Sequence, residues 1–177
     1  RAPLDPKPVA RLIRAVEKAF PLLDFTVWST AQINPWMQHL IAQPVAFLSV
    51  PSDALESVGE SLREQGWEVA VNPTPKEGPK AVRPGQRTVV VRPVHSKEPK
   101  GEGRQAPIEK ILVDVVVEAE RVALMDASEG QGVASEVVRR HLVQVAGVQR
   151  YAEFRGAKMA ILHEINQRHL IRKSGDS

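Results

Sequence analysis

The sequence contains no cysteine, which excludes a disulfide framework and a thiolate metal centre and makes a reducing cytoplasm the expected location. It lacks any apolar run approaching the about 18 residues of a membrane span, and its opening, RAPLDPKP, has no secretory apolar stretch. No membrane partner is therefore expected. Also missing are the GxSxG nucleophile elbow, the HExxH zinc motif and a P-loop, since GEGRQ and GQGVAS have neither the lysine nor the strand-then-helix setting. His163 and His169 stand six positions apart, on different faces of a helix, so neither a metal nor a cofactor is expected. The first residue is Arg rather than Met, and a preceding segment is expected.

What is present is 177 residues with a net charge of +3, enough chain for one domain able to bury roughly 70% of its unfolded surface. Charge is segregated along it. Residues 76–110 hold nine Lys or Arg against four Glu, and 139–173 hold eight against two; five acids face one Arg in 52–70, and six face one in 114–136. Such segregation suits an acidic protein or nucleic acid phosphate as partner, or else reflects solvated helix faces.

Apolar spacing predicts helices over about 8–20, 34–43, 52–65, 107–119, 129–141, 145–155 and 156–171, the short second one started by Asn34-Pro35 and the third by Ser52. The runs DFTVWS (24–29), VAFLSV (45–50), WEVAV (67–71) and RTVVV (87–91) read as strands, with VALM (122–125) as a short extra one. The 15-residue stretch 72–86 reads as a floppy hairpin loop, or else as a surface excursion that makes contacts, and 94–105 as a second polar loop. The resulting fold class is α/β, a mixed sheet of about four to five strands with flanking helices and a helical C-terminal layer.

Three spacings bear on function. Glu109 and Asp114 with Lys110 suggest a metal nuclease, but the two acids lie about 140° apart on a helix; Lys110 and Asp114, at i and i+4, read better as a surface ion pair. In RYAEFR (150–155), Arg150 can pair with Glu153 and Tyr151 can pack on Phe154, leaving Arg155 to reach a partner or a carboxylate. Trp28, Trp36 and Trp67 read as core. Lys110, Arg139, Arg140, Arg150, Tyr151, Arg155 and Lys158 are the candidate partner- or nucleic-acid-binding residues.

VWSTAQINPWMQH (27–39), IEKILVD (108–114) and RYAEFRGAK (150–158), in this order, resemble the C-terminal domain of AbiEi-type antitoxins and a related bacterial family. The resemblance covers about 8–170. It implies a non-catalytic domain of a type IV toxin–antitoxin system for phage defence, countering a nucleotidyltransferase-like toxin. It further implies an N-terminal winged helix, not contained in these residues, that binds promoter DNA. Glu109, Lys110, Asp114, Arg150, Tyr151 and Arg155 match its motifs, with both a structural and an interfacial role open. The alternatives are a DNA-binding transcriptional regulator and, behind it, a metal-dependent nuclease.

Overall fold

Residues 4–140 and 142–175 are described by a computed structural model. Helix α1 (Lys7–Ala19) forms where apolar residues recur every three to four positions, and it buries Val9, Leu12 and Val16. Strand β1 (Thr26–Ser29) runs directly into a 3-10 turn, Thr30–Trp36. The turn starts there because Ser29 and Gln32 form a capping box. Asn34, expected to start a helix over 34–43, instead accepts a hydrogen bond from the Ile41 amide at 3.2 Å, and that helix is not found.

Strand β2 (Ala46–Val50) leads through a 3-10 turn at Ser52–Ala54 to α2 (Leu55–Glu64). Ser52 therefore lies ahead of the α-helix rather than capping it. Gly66, at φ +89°, supplies the expected stop. Strand β3 (Glu68–Val71), the short helix α3 (Gly78–Ala81) and strand β4 (Thr88–Pro93) follow.

The four strands lie in the order β1-β2-β4-β3, with β1 antiparallel to β2 and the pairs β2/β4 and β3/β4 parallel. Residues 72–86 are thus not a hairpin loop. Parallel neighbours need a crossover, and α3 supplies it, packed so closely that a Cβ on Gly78 would lie 2.0 Å from the Arg121 carbonyl oxygen.

Four helices complete the chain: α4 (Ile108–Arg121), α5 (Ala127–Arg139), α6 (Val145–Arg155) and α7 (Ala160–Gly175). Position 141, the expected end of α5, lies outside the described residues. Between α4 and α5 the expected strand at 122–125 is a bend, with Ala123 at φ 52°, a conformation no strand contains. Gly156, at φ 62°, closes α6, so α7 begins four residues later than expected.

Alternation along β4 sends Val89 and Val91 to one face and Val90 to the other. The first face is covered by α1 and α2, which meet Leu48, Val50 and Trp67. On the second, Trp28 stacks on Phe47 at 4.5 Å and joins Ile111, Leu112 and Val115 of α4, with α5, α6 and α7 behind. The polar stretch 94–105 is an ordered strap: the Val27 amide donates to the Arg104 carbonyl at 2.8 Å and the Ala106 amide to the Val27 carbonyl at 2.9 Å, covering the open edge of β1. No helix among the described residues is long and apolar enough to cross a membrane.

Candidate functional site

Lys110, Asp114 and Glu118 recur every four positions on α4 and so form one stripe of the helix. All three are buried, because Tyr151 and Arg155 of α6, the strap and Arg92 at the end of β4 close over them. The Lys110 ammonium lies 2.5 Å from Asp114 Oδ2 and 3.0 Å from Glu98 Oε1 of the strap. Asp114 Oδ1 accepts from the Tyr151 hydroxyl at 2.8 Å and from Arg155 at 2.7 Å, while Arg155 also donates to the Tyr151 oxygen at 2.8 Å. One turn further along, Glu118 takes two 2.8 Å bonds from Arg92, whose remaining donors reach the Pro73 carbonyl at 2.6 Å and Asn72 Oδ1 at 3.2 Å. Lys110, Arg155 and Arg92 thus balance Glu98, Asp114 and Glu118.

For Lys110, Asp114 and Arg155 pairing outweighs burial. Burial alone would raise the Asp114 carboxyl, but Lys110, Arg155 and the Tyr151 hydroxyl hold it below the usual carboxylate range. Burial would lower Lys110 and Arg155, yet Asp114 before all other charges holds both above their ordinary values. The Tyr151 phenol is pushed up by burial and by Asp114. These shifts move the groups away from neutrality, the opposite of what proton transfer at pH 7 requires. His95, whose amide donates to Glu98 Oε2 at 2.5 Å and whose ring meets Phe154 edge-on at 6.0 Å, is lowered by burial and by Arg155.

The structure brings three of the candidate residues together and disperses the others. Lys110, Tyr151 and Arg155 meet inside the cluster, so the expected surface pair of Lys110 with Asp114 is an interior one. Arg150 is exposed on α6 and is not paired with Glu153; Tyr151 and Phe154 do not pack, because Tyr151 is drawn in to Asp114 while Phe154 stays 47% exposed. Arg139 and Arg140 sit exposed at the end of α5, 3.3 Å from Glu164 and 3.2 Å from Glu136 respectively. Lys158 is exposed in the turn before α7.

Glu109 and Asp114 do not share a space. The Gln144 amide, just before α6, donates to Glu109 Oε1 at 3.2 Å, whereas Asp114 engages the last two turns of that helix. Among the described residues no group of three or more His, Asp or Glu could hold a metal ion. Sequence reasoning missed Arg92, Glu98 and Glu118. The repeat of 110 and 114 into 118 could have found Glu118; nothing local marks the other two.

A family model matches residues 3–171, from before α1 into α7. The chain belongs to DUF6577, a family of unknown function. The DUF6577 match takes in the strap, α4 and α6, and hence the whole buried cluster. No curated protein and no solved structure matches the chain.

Proposed function

We propose that this chain is a non-catalytic antitoxin-like module that neutralises a nucleotidyltransferase-like toxin in bacterial abortive infection. The observation that carries the reading is the engagement of both Asp114 oxygens by Lys110, Tyr151 and Arg155. The acid and bases of the IEKILVD and RYAEFR motifs are bonded to one another, so these motifs join α4 to α6 and leave function to the surface. A DNA-binding regulator is the second reading, favoured by Arg139 and Arg168, two exposed arginines that share the single carboxylate of Glu164. Promoter DNA would meet such a surface through its phosphates. A metal nuclease has less support, given the divergence of Glu109 and Asp114.

Co-expression with the neighbouring toxin gene tests the proposal. Restored growth supports it. Growth arrest that the full-length protein cannot relieve, together with salt-sensitive binding to its own promoter, would favour the regulator.

A further inference from the structure

We propose that the cleft between the strap and α6 binds single-stranded nucleic acid, a role independent of toxin neutralisation. This cleft has a volume of about 610 Å³ and is walled by Lys97 and Lys100 on one side and Arg150 and Phe154 on the other. Among the described residues the three cationic side chains have no hydrogen-bond or ion-pair partner. Glu98 also borders the cleft, but its charge is taken up by Lys110. Only Glu153 opposes the three cations among the residues lining it.

Phe154 identifies the class of anion. It lies one turn from Arg150 on the same helix, is 47% exposed, and its ring meets His95 edge-on. Cations that follow a phosphate backbone beside an aromatic ring that stacks a base are the chemistry of single-strand binding. A duplex keeps its base faces stacked, and an acidic peptide leaves the ring without a partner. Both walls are fixed in advance by the buried cluster: Glu98 anchors the strap to Lys110, and Tyr151 and Arg155 anchor α6 to Asp114.

The test is fluorescence anisotropy of the protein with labelled oligouridylate and oligothymidylate of about ten nucleotides, with duplex DNA and polyglutamate as competitors. Binding of either oligomer is expected, with log affinity falling against log salt at a slope of about −2 for three phosphate contacts. Phe154→Ala should weaken binding about tenfold through lost stacking, and Lys100→Glu with Arg150→Glu should flatten the salt slope, both without change in melting temperature. No binding at low salt overturns the proposal, as do variants that bind like the wild type. Equal competition by duplex would reduce the cleft to a general phosphate surface, and displacement by polyglutamate would assign it to an acidic protein segment; either result rejects the single strand.

Discussion

Asp114 accepts from Lys110, Tyr151 and Arg155, so loss of its carboxylate leaves Arg155 buried without its counter-charge and Lys110 with Glu98 alone. Asp114→Ala should therefore cost about 3–5 kcal/mol in urea denaturation, while Tyr151→Phe, which removes a single hydroxyl, should cost about 1 kcal/mol. The pH dependence follows from two depressed groups. His95 is held below its ordinary value, so its contribution is present above about pH 6.5 and lost as pH falls through the folded value. Asp114 is likewise depressed; its contribution is present above about pH 4 and lost in stronger acid. Melting temperature should thus fall in two stages on acidification, and His95→Gln should abolish the first alone. A wild-type profile in that variant would contradict the assignment. At this scale the i, i+4 spacing of Lys110 and Asp114 was legible, but their burial was not, because it depends on Glu98 and Tyr151 arriving from distant parts of the chain.

Among the elements, α4 is the one most enclosed, with its apolar side on the sheet and its charged stripe under α6. Leu112 is fully buried, and Leu112→Ala should cost about 2–5 kcal/mol. The close seat of α3 on the end of α4 leaves no room for a side chain at Gly78, so Gly78→Ala should cost about 1–3 kcal/mol. Denaturant midpoints check both. Amphipathic spacing located α1, α4 and α6 to within a residue or two, since the pattern that defines such a helix is local. The pairing of β3 with β4 was not legible: a parallel and a hairpin connection begin with the same polar, proline-rich residues, and long-range contacts decide between them. The helix expected over 34–43 failed for a local reason, the stronger capping box that starts five residues earlier at Ser29.

Over the whole molecule, the charge segregation seen along the chain is only partly a surface property. The acids of 52–70 are all exposed around α2, but Asp114 and Glu118 of the second acidic stretch lie inside, compensated by Arg92, Lys110 and Arg155 of the basic ones. The exposed cations of the basic stretches lie around α3, on the strap and α6, and at the end of α5 with α7. Among the described residues no group of three or more His, Asp or Glu could hold a metal ion, and excess Mg²⁺ or Mn²⁺ should leave the melting temperature unchanged. On the proposed reading the buried cluster joins helices and performs no chemistry. Replacement of a compensated buried charge cluster by apolar side chains is often compatible with folding, which makes a variant that keeps only the Arg92–Glu118 pair, Glu98→Leu, Lys110→Met, Asp114→Leu, Tyr151→Phe and Arg155→Met, the most direct test. Co-expressed with the toxin at a temperature where circular dichroism shows it folded, this variant should rescue growth as the wild type does; a folded variant that fails to rescue, beside a wild type that succeeds, would contradict the claim.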